Sequence, residues 1–297
     1  LPARGPGGDM IGRTYALLNR LDASFAIEPT PSGWRVTRGQ SGAMRRGRLW
    51  VDEDRDALEQ LAAHHTGVVK AQLCGPYTLA SAIEPVSGDR LLTDAGALAD
   101  LAEAISAVAV EQIAQLRNRL PRAQVVLQID EPALDAVMHG RVRTRTGRGS
   151  LPAIPAVELA AGLSRISSAI AADGAIPWVH SCATRAPYAV LAGAGFAGWS
   201  LPFSALGVGE REELAAHFDR GGMLIAGIDA ESDFSDRGTV ASLMSLANEL
   251  GFGSRAADLL SVSHTCGLAF AREPQRVLRR VNRLASALRE TMGGLRG

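Results

Sequence analysis

The sequence predicts an α/β barrel of parallel strands, and three observations carry that expectation. Short, β-branched apolar runs alternate with longer Ala/Leu/Arg/Glu stretches of helical spacing. The alternation is regular along most of the chain. Residues able to bind metal or substrate recur just after the strand runs, where a parallel barrel keeps its functional side chains. The length, 297 residues, is ordinary for a single domain of that kind.

The strand runs fall at 68–73, 125–129, 176–179, 198–201, 223–227 and 259–262. The clearest helical stretches fall at 94–119, 157–172, 239–250 and 274–289. Strand and helix in turn imply a parallel sheet with crossover helices. Six strands are legible, whereas a (β/α)8 TIM barrel has eight. The shortfall falls at the front, where the chain opens in a Gly/Pro-rich loop, so the N-terminal first strand is expected to be absent from this chain. Residues 30–50 read as a polar β-hairpin or loop insertion, from Trp34-Arg35-Val36 and Arg48-Leu49-Trp50. No internal repeat or low-complexity linker interrupts the pattern, and residues 1–297 are expected to be one domain.

Composition narrows the function. Lys plus Arg equals Asp plus Glu, 31 each, which argues against nucleic acid or an anionic membrane as the main partner. No apolar run approaches the roughly 20 residues that cross a bilayer. The first residues, Leu-Pro-Ala-Arg-Gly-Pro-Gly-Gly, lack the apolar stretch of a signal peptide. A soluble cytoplasmic protein is expected. Cys74, Cys182 and Cys266 are too few and too odd in number for a disulfide framework. They are either packed fillers or ligands.

The segments after the strands distinguish these options. Asp130-Glu131-Pro132 follows the second strand run, His180-Ser181-Cys182 the third, Ile228-Asp229-Ala230-Glu231 the fifth and Ser263-His264-Thr265-Cys266 the sixth. His180 and Cys182 are two residues apart, as are His264 and Cys266, and period-two alternation puts each pair on one face. Two H-x-C pairs facing a common axis supply imidazole and thiolate donors of the kind that bind tetrahedral zinc. Small buried cysteines are the competing reading for either pair alone.

Four motifs in order carry a resemblance. Lys70-Ala71-Gln72-Leu73-Cys74-Gly75-Pro76-Tyr77-Thr78, Gln128-Ile129-Asp130-Glu131-Pro132-Ala133, His180-Ser181-Cys182 and Cys266-Gly267-Leu268 resemble signatures of cobalamin-independent methionine synthases. The resemblance spans most of residues 68–270. It implies a (β/α)8 barrel, shared with uroporphyrinogen decarboxylase, and transfer of a methyl group to the thiol of homocysteine. It implies zinc held by His180, Cys182 and Cys266, with Asp130 binding the substrate's α-ammonium. The chemistry suits a metal: the thiolate is the nucleophile, a thiol is mostly protonated at neutral pH, and zinc binding deprotonates it.

The chain also departs from that pattern. The family's glutamate ligand has no counterpart, since residues 174–209 contain neither Asp nor Glu. The family's D-x-H-S motif reads Asp229-Ala230-Glu231-Ser232, with Glu231 where a proton-donating histidine would stand. His264 is the preferred fourth ligand because it shares a strand face with Cys266; a strand-end histidine bonded to backbone is the alternative. Glu231 is either the general acid, a displaced ligand or a solvated loop carboxylate. The family's full-length protein has two barrels, the first of which helps bind the folate donor, and this chain matches the second; that match weakens the case for methyltetrahydrofolate as methyl donor and leaves a methylated corrinoid protein or another donor as alternatives. Arg141, Arg143, Arg145 and Arg148 read as a solvated loop that would also attract an anionic donor. His64, His65, His139 and His217 read as surface or helix-end residues, and Cys74 as a packed thiol. Arg45, Arg46 and Arg48 read as a solvated turn. Two other functions compete: a decarboxylase of the uroporphyrinogen type, and a non-catalytic or repurposed barrel.

Overall fold

The computed structural model describes residues 4–86, 88–207, 211–252 and 255–293. The chain divides into two compact units, Leu1–His180 with Ala189–Phe196, and Ser181–Tyr188 with Ala197–Gly297. Each contains three parallel strands alternating with helices, as the sequence pattern predicts.

In the first unit the order is α1 (Met10–Leu21), β1 (Ile27–Thr30), β2 (Gly33–Val36), α2 (Gly42–Ala62), β3 (Val68–Cys74), α3 (Pro76–Ala82), β4 (Ile83–Glu84), α4 (Ala95–Arg119), β5 (Gln124–Asp130), α5 (Leu134–Met138), α6 (Ala156–Ala172) and β6 (Ile176–His180). Strands β3, β5 and β6 pair in parallel, and the register aligns Cys74, Asp130 and His180 across their C-terminal ends. The alternate face, with Leu73, Leu127, Ile129 and Val179, is fully buried. Helices α4 and α6 pack together and bury Ile105, Ile113, Leu163 and Ile166. Each such side chain contributes about 1.5–3 kcal/mol of apolar burial.

The anticipated hairpin exists, but it lies at β1–β2, with Gly33 at a φ of 139° in the turn. Residues from Gly42 onward form a helix instead of the second half of an insertion. Ser41 caps its start by accepting from the Met44 amide, and Ala43, Met44, Gly47 and Val51 recur at helical spacing on its buried side. Arg45, Arg46 and Arg48 are therefore helix residues; Arg45 and Arg46 are exposed. A short strand, β4, adds to β2 in parallel.

After the short helix α7 (Tyr188–Leu191), the second unit continues with β7 (Gly198–Pro202), α8 (Arg211–Asp219), β8 (Met223–Ile228), α9 (Asp236–Glu249), α10 (Ala256–Leu259), β9 (Leu260–His264) and α11 (Pro274–Gly293). Strands β7, β8 and β9 are parallel. Trp199 of β7 is buried and stacks on His217 of α8, ring centroids 3.8 Å apart. His217 is a helix-end residue, as expected, but only 3% exposed rather than superficial. Its ring fits because residue 222 is glycine; a Cβ there would overlap the imidazole. Burial lowers the His217 pKa to about 4, so the ring is neutral and its Nε2–H donates to the Met223 carbonyl at 3.1 Å. Among the described residues, no helix is long and apolar enough to cross a membrane.

Candidate functional site

At the C-terminal end of β5, Asp130 is 4% exposed. Gln128, two residues earlier on the same strand face, donates its amide Nε2 to Asp130 Oδ1 at 2.7 Å. The Gln128 Oε1 accepts from Lys70 Nζ at 3.2 Å, and Lys70 also donates to Gln72 Oε1 at 3.1 Å. This chain has a direction. An ammonium only donates, so it selects the oxygen end of the Gln128 amide and turns the NH2 end to Asp130. Lys70 is exposed overall, yet desolvation of its ammonium lowers its pKa, while the Asp130 carboxylate works in the opposite direction. Sequence reasoning placed Lys70 and Gln128 in motifs but gave them no role. The available signal was three long polar side chains, Lys70, Gln72 and Gln128, at alternate positions of otherwise apolar strands.

Glu131 lies behind Asp130 and is fully buried. It ties the end of β5 to the start of α3. Oε1 accepts from the Tyr77 amide at 2.9 Å, and Oε2 accepts from the Thr78 amide at 2.8 Å and from Thr78 Oγ1 at 2.6 Å. Gly75 leaves room for this carboxylate, which a Cβ at that position would overlap. Burial outweighs those three donors and raises the Glu131 pKa to about 7. Its backbone amide donates to the His180 carbonyl at 2.7 Å, so Glu131 also fixes the strand end that carries His180. His180 itself is half-buried beside Asp130 in the register.

Cys74 is a packed thiol, as expected: it is fully buried, and burial pushes its pKa well above the ordinary thiol value. His64 and His65 are exposed, as is His139 at the end of α5, and Arg141, Arg143, Arg145 and Arg148 are exposed. Arg141 pairs with Asp135, and Arg145 donates its amide to Asp89 Oδ1 at 3.0 Å.

In the second unit the structure brings Cys182 and Cys266 together, 84 residues apart in the chain, with their Sγ atoms 4.0 Å apart. Two thiolates on one tetrahedral zinc, each with a bond of about 2.3 Å, stand roughly 3.8 Å apart. The pair therefore matches half of such a site. Among the described residues, no three of His, Cys, Asp and Glu converge closely enough to hold a metal ion.

His264 ends β9 on the strand face of Leu260 and Val262. Its Nδ1 lies 3.2 Å from the Ile228 carbonyl and 3.4 Å from the Ala230 amide. The Ala230 N–H donates to this nitrogen, whereas the Ile228 carbonyl calls for an Nδ1–H, so the two contacts favour opposite tautomers. Glu231 is exposed, and its Oε1 accepts from the Arg272 amide at 2.9 Å. The loop carrying Glu231 is held by Arg280 of α11. That guanidinium donates to the Ala230 carbonyl at 3.1 Å, to the Ser232 and Phe234 carbonyls, and to Asp236 Oδ1 at 3.0 Å. Nothing in the local sequence marks Arg280, which lies about fifty residues after the loop on an Arg-rich helix.

No family model matches the chain, and no curated protein matches its sequence. Among solved structures its fold is similar to that of a B12-independent methionine synthase from Shewanella sp. W3-18-1, in complex with selenomethionine. The TM-score is 0.57 over 89% of this chain and 72% of that one, at 16% sequence identity. At that identity the likeness shows the α/β fold.

Proposed function

We propose that this chain is a zinc-dependent methyltransferase that transfers a methyl group to the thiol of homocysteine, forming methionine. The observation that carries the reading is the Cys182–Cys266 pair, set at a spacing suited to zinc by two distant motifs. The fold of the methionine synthase neighbour supports it. The proposal includes one cytoplasmic domain over residues 1–297 and a barrel of the (β/α)8 type.

Cys182 and Cys266, with His180, would hold the zinc, and His264 would take the fourth position. When bound, zinc keeps a coordinated thiol as thiolate at neutral pH. Asp130 binds the α-ammonium of homocysteine, and Gln128, oriented by Lys70, keeps that carboxylate at one rotamer. Glu231, fixed by the Arg272 amide, delivers a proton to the departing group. The donor is methyltetrahydrofolate or a methylated corrinoid protein, and turnover assays with each separate the two.

The decisive test is the metal content of purified wild type beside Cys182→Ser and Cys266→Ser. About one zinc per chain in wild type, lost in both variants, is the expected result. Folded wild type that takes up no zinc even when incubated with it would overturn the reading. A repurposed barrel would then be favoured, in keeping with the lack of three converging metal-binding side chains among the described residues.

A further inference from the structure

We infer that Cys182 and Cys266 form a thiol-oxidation site, a dithiol that a low-molecular-weight disulfide converts into an intramolecular disulfide. The inference rests on geometry within the second unit and does not depend on the zinc reading. The two sulfurs are 4.0 Å apart, and a disulfide bond is about 2.05 Å long. The remaining approach of about 2 Å is within reach of side-chain rotation plus a small loop shift. Both residues lie outside regular structure: Cys182 follows β6, and Cys266 lies between β9 and the 3-10 turn Leu268–Phe270. Gly267 adds space, since nothing lies within 4 Å of where its Cβ would be.

Exposure orders the steps. Cys266 is exposed and Cys182 partly so. The Cys266 thiolate attacks one sulfur of the small disulfide, forming a mixed disulfide and releasing the first small thiol. The Cys182 thiolate then attacks the Cys266 sulfur, closing the protein disulfide and releasing the second small thiol. Two protein thiols lose two electrons, the small disulfide gains them, and the two protons end on the released thiols. Cys74 takes no part, because full burial keeps it protonated and out of reach. Oxidation and metal binding would use the same two sulfurs and so exclude each other.

The test uses oxidised glutathione as the small disulfide, in the presence of a chelator. After the reaction the protein is unfolded, alkylated and examined by intact mass and peptide mapping. In wild type, a Cys182–Cys266 cross-linked peptide with no retained glutathione and an alkylated Cys74 is expected, reversed by dithiothreitol. In Cys182→Ser, whose fold is checked by circular dichroism, one glutathione retained on Cys266 is expected. Wild type that keeps glutathione on Cys266, or leaves both cysteines alkylated, would overturn the inference. The chelator keeps this outcome separate from that of the zinc measurement, since a chain that never binds zinc still forms the cross-link.

Discussion

At the scale of single residues, the candidate substrate site depends on pairs of groups that determine one another. Asp130 is the group expected to meet the ammonium of an amino acid, but its orientation is set by the Gln128 amide, and the sense of that amide by Lys70. Lys70→Met removes the donor that selects the oxygen end, so the Gln128 amide can turn over. Homocysteine affinity is expected to fall about tenfold by calorimetry, a loss of ~1.4 kcal/mol. Asp130→Asn is expected to abolish binding, with both variants still folded. Unchanged affinity in Lys70→Met would show that Asp130 is held by other contacts. Glu131 and Gly75 form a second such pair. Glu131→Gln sets an amide NH2 against either the Tyr77 or the Thr78 donors, leaving a buried mismatch of about 1–3 kcal/mol. Gly75→Ala places a methyl group where the carboxylate stands, and chemical denaturation is expected to show a loss of about 1–3 kcal/mol.

At the scale of elements, helices act on the site through loops they do not themselves contain. Arg280 on α11 bonds three carbonyls of the β8–α9 loop and the side chain of Asp236, whose guanidinium partner lies 11% exposed. Arg280→Met is expected to raise amide hydrogen exchange across residues 229–236 while the exchange of β8 stays slow. An unchanged loop would show that the Arg272–Glu231 bond alone suffices. The packing of α8 on β7 is a different kind of link, made by a large aromatic surface. Trp199→Ala is expected to cost about 3–5 kcal/mol in urea denaturation, because neighbouring side chains cannot refill the space beside His217. The helix over Gly42–Ala62 shows how an element escapes a local reading. Its segment holds Trp50 and a run of arginines, which suggested an exposed hairpin, but the Ser41 cap and the buried Ala43, Met44, Gly47 and Val51 stripe decide for helix.

At the scale of the whole molecule, the formal net charge is zero, so general charge repulsion is small near neutrality. The pH dependence of stability then rests on a few groups whose pKa changes on folding. Glu131 rises from 4.5 to about 7. Its contribution is fully present below its unfolded value and is lost as the pH rises through about 7. His217 falls from 6.5 to about 4, so its contribution is present above its unfolded value and is lost as the pH falls through about 4. The two oppose each other between these limits. In urea titrations across that range, His217→Phe is expected to lose less stability than wild type on acidification. Parallel curves for the two proteins would show that His217 carries no part of the acid limb.

The sequence by itself determined the order of strands and helices, because hydrophobic period is a local property that survives whatever the chain later packs against. It also placed Asp130, His180 and Cys182 at or just after strand ends, since strand alternation and the residue following each run are read within a few positions. Only the tertiary structure decided what those side chains meet. The 4.0 Å approach of Cys182 and Cys266, the Lys70–Gln128–Asp130 chain and the Arg280 hold on the Glu231 loop each join residues far apart in sequence. His217 looks superficial in a charged helix, and becomes buried because Trp199 and Gly222 make a slot for its ring. Burial, hydrogen-bond sense and sulfur spacing are set by surfaces that distant segments bring together, and no local pattern records them.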